Sequence, residues 1–121
     1  MNVNEYLRKT QEYQTVVGRL YQRIRPRIVC KDGSSLSVQA GELLYSTPRQ
    51  DGLSTYINVE VGYPSVDPPE SWFEYAEIYS GDDDIKFTDV IYPYIPVELV
   101  QQFIDEHGGI DLEESLKETQ P

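Results

Sequence analysis

Cysteine, histidine and tryptophan each occur once in this 121-residue chain. A single thiol, Cys30, cannot close an internal disulfide, and "MNVNEYLRKTQEYQ" carries no apolar leader, so the expectation is a cytoplasmic protein with Cys30 as a small core residue. A single histidine, His107, leaves no His–Cys pair of useful spacing, and neither Ser-x-x-Lys nor Gly-x-Ser-x-Gly is present. "GYPS" is too poor in glycine to cradle a phosphate in the P-loop manner. The run Asp82, Asp83, Asp84 reads as a solvated turn, because a calcium loop needs alternating ligands that converge. No apolar run approaches the roughly 18 residues needed to span a bilayer. Positive charge is scarce: ten Lys and Arg against twenty-one Asp and Glu give a net charge of -11, which repels duplex nucleic acid. These absences set the expectation of a non-enzymatic protein with no cofactor, metal site, membrane span or duplex partner.

The few cations are crowded together. Residues 1–49 hold eight Lys and Arg against four acids, a net of +4, whereas residues 50–121 hold two against seventeen, a net of -15. Within "RLYQRIRPRIVCKDG", Arg19, Arg23, Arg25, Arg27 and Lys31 fall in a short span around Pro26. In an extended chain Arg23, Arg25 and Arg27 share one face at about 7 Å spacing, a ledge of planar forks suited to phosphate or carboxylate. Arg49 in the "TPR" loop can swing to the same face, and Tyr45 and Tyr56 flank that loop to stack on a base. The bland alternative is that the arginines pair with the acids inside the fold or across an interface.

Periodicity supplies the architecture. Leu7, Tyr13, Val16, Val17, Leu20 and Tyr21 recur at helical spacing, predicting an amphipathic helix from Val3 to about Gln22 with Asn4 as N-cap. Gly18 weakens that helix and Pro26 stops it. "RIVC" and "SLSVQA" form a hairpin about a two-residue Asp32–Gly33 turn, with Leu36, Val38 and Ala40 inside and Ser35, Ser37 and Gln39 outside. "STYINVEVG" follows as a strand burying Ile57, Val59 and Val61 and exposing Tyr56, Asn58 and Glu60. "ESWFEYAEIY" reads as a short helix with Pro69 at its first position, and "IKFTDVIYPYI" as edge strand tolerating Pro93. Pro96 opens a helix through "VELVQQFIDEHGG", with Val97, Val100, Phe103 and Ile104 on one face. His107 ends it, favourable for the helix dipole. The fold class expected is α+β: an N-terminal amphipathic helix, a small antiparallel sheet and a C-terminal helix packed on it. Residues 1–110 form one domain and 111–121 an acidic tail with one further helical turn.

The segments "SLSVQAGELLYSTPR", "YINVEVGYPS", "EYAE" and "YIPVELVQQFIDEHGGI", spread over roughly residues 28–110, resemble a family of small uncharacterised bacteriophage and prophage proteins. That family often has a Cys before its Pro-Arg pair, where this chain has Ser46 and Thr47. The resemblance implies a phage accessory protein acting in counter-defence, by sequestering a nucleotide signal or by blocking a defence enzyme directly. With the basic ledge, the first reading is sequestration of an anionic nucleotide-type molecule by Arg23, Arg25, Arg27, Arg49, Tyr45 and Tyr56, at a subunit interface of a homo-oligomer. The second is an anti-CRISPR-like inhibitor whose acidic face, including Asp82, Asp83, Asp84 and Asp89, docks on the basic channel of a defence nuclease. A minor phage structural or assembly protein is the third.

Overall fold

Strict alternation in "SLSVQ" and "NVEVG" builds the centre of the molecule. In the computed structural model, which describes residues 1–19, 21–78 and 84–117, these become β4 (Ser35–Gln39) and β5 (Asn58–Gly62), numbered below with the other strands. They are the middle of an antiparallel four-stranded sheet flanked by β3 (Ile28–Val29) and β6 (Ile91–Pro96), in the order β3-β4-β5-β6. Leu36, Val38, Val59 and Val61 are all buried, each contributing roughly 1.5–3 kcal/mol of hydrophobic stabilisation. Helix α1 (Val3–Lys9) precedes the sheet, and α2 (Val97–Glu106) and α3 (Leu112–Lys117) follow it. The fold is α+β, with an N-terminal helix, a small antiparallel sheet and C-terminal helices packed against it.

The N-terminal helix is shorter than its periodicity predicts. Asn2, not Asn4, caps it: Glu5 N–H donates to Asn2 Oδ1 at 2.9 Å and Asn2 N–H donates to the Glu5 carboxylate at 3.3 Å. It ends at Thr10, whose hydroxyl donates back to Tyr6 O at 2.6 Å. After a 3₁₀ turn, Gln11–Tyr13, the β-branched Thr15, Val16 and Val17 form strand β1 (Thr15–Val17), paired with β2 (Gln22–Ile24) as a separate two-stranded ribbon. Gly18 turns the ribbon at φ +72°, so its glycine serves a turn and not a helix interior. Leu20, counted in the predicted stripe, lies outside the described residues.

The β3–β4 hairpin forms where expected, with a three-residue turn. Cys30 N–H donates to Ser34 O and Gly33 N–H to Cys30 O, leaving Lys31, Asp32 and Gly33 between the closing pair. Gln39 is buried, not wet, and the start of the next strand is inverted: Tyr56 is buried and Ile57 exposed. Asn4 causes that inversion, since its side chain accepts Tyr56 N–H and donates to Tyr56 O, holding the residue inward before β5 begins.

The segment after Pro69 is a 3₁₀ helix, Glu70–Tyr75, with Pro69 as its N-cap. It drives Trp72 into the core against Tyr92 and Phe103, at ring-centroid distances of 5.3 and 5.1 Å. On α2, Val100, Phe103 and Ile104 are buried and Val97 is half-buried, as the predicted stripe requires. The β3–β4 turn covers the end of this helix: Lys31 N–H donates to Gly109 O and Asp32 N–H to His107 O. Cys30 pairs with Ile110 as an isolated bridge, and α3 is tied to β3 because Ser115 Oγ accepts Val29 N–H at 2.8 Å. At the other end of the chain, Val3 N–H donates to Gln101 Oε1 at 2.8 Å. Among the described residues no helix is long and apolar enough to cross a membrane.

Candidate binding surfaces

Six residues were expected to make one ledge; the structure sorts them into different places. Arg25 follows the end of β2 and precedes Pro26, so strand alternation no longer governs it. Its side chain turns inward and is 2% exposed. Nε donates to Leu7 O at 3.1 Å, Nη1 to Ala40 O at 2.8 Å, and Nη2 to Gln11 Oε1 at 2.5 Å. Gln39 clamps the backbone from the other side, accepting Arg25 N–H at 2.8 Å and donating to Arg25 O at 3.0 Å. That amide acts as the strand neighbour that Pro26 interrupts. Burial pulls the guanidinium below its ordinary value, and nearby Tyr56 and Asp51 offset part of that pull. Tyr56 is itself internal, its hydroxyl donating to Gln50 O at 2.6 Å. Arg25 and Tyr56 therefore meet inside the fold, where neither can receive a ligand.

Arg27 spans the surface of the sheet, donating to Tyr63 O at 2.7 Å and Ser35 Oγ at 3.1 Å. Arg23 is exposed and shares a small concavity with Tyr21, Glu42 and Asp51. The continuous row of Arg23, Arg25 and Arg27 is not assembled. Among the described residues Lys117 Nζ pairs with Glu114 at 2.6 Å.

Arg49 and Tyr45 do come together. The guanidinium lies 5.4 Å from the Tyr45 ring centroid, a cation–π contact, and Tyr45 meets Tyr94 at 5.7 Å. Tyr94 is placed there by a β-bulge. Val59 pairs with Ile95 and Val61 with Tyr92, so Glu60 alone faces both Pro93 and Tyr94. Tyr94 adopts φ +54°, which costs a non-glycine residue about 1–2 kcal/mol, and its N–H donates to Tyr45 O at 3.0 Å. Beneath the rings, Glu60 accepts Tyr45 N–H at 3.3 Å. Burial, with Glu77 nearby, raises this carboxyl above its usual range, while Tyr45 N–H and Arg49 oppose the rise. Tyr94 and Glu60 escaped the sequence reading because a register slip creates their roles. Pro93 within a strand was the available signal.

The acids occupy other faces. Glu98, Gln102, Asp105 and Glu106 lie exposed along α2, forming one wall of an open groove of about 740 Å³ whose opposite wall includes Asn4 and Arg8 of α1. Asp84 and Asp89 are exposed and line a second concavity of about 420 Å³ with Glu77 and Lys86, while Asp82 and Asp83 lie outside the described residues. His107 Nδ1 is 2.6 Å from Asp32 Oδ2, and its ring packs on Phe103 at 4.4 Å. Asp32 also accepts Ser34 Oγ and N–H, and these bonds, with His107, hold its carboxyl at about 2. The Cys30 thiol is pushed up by burial in the core. Among the described residues no group of three or more His, Cys, Asp or Glu is arranged to hold a metal. The chain matches no protein-family model, no curated protein and no solved structure.

Proposed function

We propose that the protein is a non-enzymatic binding protein that engages a basic partner through its acidic exterior, with the outer side of α2 as the contact. The exposure of α2 carries this reading. Glu98, Asp105 and Glu106 lie exposed together along it, so their carboxylates project a negative field outward. Such a field accelerates association with a positively charged surface and discriminates against acidic ones. The phage resemblance supports a partner of one chemical kind: a bacterial defence nuclease in the host cytoplasm, whose nucleic-acid channel the acidic face occupies.

The test is binding to immobilised, nucleic-acid-free defence nucleases over a series of salt concentrations. Wild type is expected to associate more slowly as salt rises, and the Glu98→Lys/Asp105→Lys/Glu106→Lys variant to lose at least about tenfold in affinity. Equal affinity of the two proteins would sink the proposal.

The Tyr45–Arg49–Tyr94 cluster favours a second reading, sequestration of an anionic nucleotide-type molecule. Arg49 supplies the phosphate fork and the tyrosines a base platform, without Arg25 or Tyr56. Calorimetric titration with cyclic and linear nucleotides tests it. An Arg49→Ala variant that binds as wild type does would remove it.

A further inference from the structure

The ribbon formed by β1 and β2 is a sheet separate from the main one, and β1 is exposed at all three residues whereas β2 is partly covered. On the inner side, Gln22 Nε2 anchors β2 to Leu43 O at 3.0 Å. The outer side carries Thr15, Val16 and Val17, with Val16 57% and Val17 43% exposed, and Tyr21 in the turn is 75% exposed. Edge strands are normally protected from pairing by a charge, a proline, a bulge or brevity. From Tyr13 to Gly18, "YQTVVG", there is no charge, proline or bulge, and the three residues of β1 leave brevity as its one protection.

We propose that β1 is a self-association edge, pairing antiparallel with β1 of a second copy about a twofold axis at Val16. This proposal is independent of the acidic docking face. Charge argues for a second copy as the occupant. Two molecules of net charge -11 repel wherever their acids face one another, and between Glu12 and Asp32 the chain has no carboxylate. The nearby acids Glu42 and Asp51 share the concavity of Arg23 on the body side of the ribbon. Geometry argues for it too. Twofold pairing sets Val16 against Val16 of the copy, a β-branched cross-strand pair, and Thr15 against Val17 of the copy. Arg23 sits across β2 from Val16, so the two Arg23 residues end three strand spacings apart, about 14 Å, beyond the screening length of about 8 Å at physiological salt. Strand pairing of three residues gives a reversible dimer rather than an obligate one.

Sedimentation equilibrium over a wide protein concentration range tests this. Wild type is expected to shift from monomer to dimer, Val16→Lys/Val17→Lys to remain monomeric, and Glu98→Lys to dimerise as wild type does. Both valines are exposed in the monomer, so unchanged circular dichroism shows that the variant still folds. Hydrogen exchange on wild type supplies a measurement free of mutation: amides of Thr15–Val17 should gain protection as concentration rises. A wild type that stays monomeric overturns the proposal and leaves the edge to a foreign strand. A dimer untouched by the lysines, or exchange at β1 independent of concentration, overturns the choice of surface.

Discussion

Arg25 is the residue whose chemistry departs most from its apparent purpose. Its guanidinium holds together α1, the 3₁₀ turn and the end of β4, so Arg25→Ala leaves Leu7 O and Ala40 O buried without a donor. The expected loss is about 3 kcal/mol in urea unfolding, whereas Arg23→Ala should stay within about 0.5 kcal/mol of wild type. Glu60 makes the opposite prediction. Its carboxyl is raised by burial, so the neutral form suits the fold, and stability is lost as pH rises through the folded value. Glu60→Gln keeps an acceptor for Tyr45 N–H and should be the more stable protein at neutral pH. The two unfolding midpoints should converge in acid. Asp32 is depressed from 3.8 to about 2, so its ionised form stabilises the fold fully above the unfolded value and ceases to do so as pH falls through about 2. Asp32→Asn should melt below wild type at neutral pH, with the gap closing toward that acid limit.

At the scale of elements, the local pattern spoke clearly wherever burial followed it. Leu36 and Val38 on β4, and Val100, Phe103 and Ile104 on α2, are buried in the phase their spacing predicts. The first helix was overextended because Val16, Val17 and Tyr21 fall at helical spacing yet are exposed, so their periodicity describes no buried stripe. The β-branching of Val16 and Val17 and the adjacent Gly18 are the better guides. Gln39 and Arg25 are misplaced together: each is polar enough to read as wet, yet Gln39 bonds the Arg25 backbone and the guanidinium finds Leu7 O, Ala40 O and Gln11 inside the fold. Half of the Tyr45–Arg49 contact was visible as a flanking aromatic beside an arginine loop, but Tyr94 arrives through a bulge that depends on pairing between distant segments. That bulge can be tested as an element. Because Tyr94 is held at positive φ, Tyr94→Gly should be more stable than Tyr94→Ala by about 1 kcal/mol, reversing the usual order of the two residues in a strand. Chemical denaturation of the pair measures it.

For the whole molecule, the charge balance sets the response to salt. Seventeen acids in residues 50–121 stand against two cations there, one of which, Lys117, pairs with Glu114. Self-repulsion of this kind is screened by electrolyte, so the melting temperature should climb from low ionic strength to physiological salt. A flat or falling profile in scanning calorimetry would mean that the acids are balanced in a way the ion pairs do not reveal. The long ties across the chain act in another dimension. Cys30 pairs with Ile110, Val29 with Ser115, and Val3 with Gln101. During translation the helix and hairpin at the start of the chain leave the ribosome long before those partners are made, with Tyr6, Leu36 and Val38 still uncovered. Packing of these residues is then completed only after α2 emerges, and until that point their apolar surface is open to aggregation.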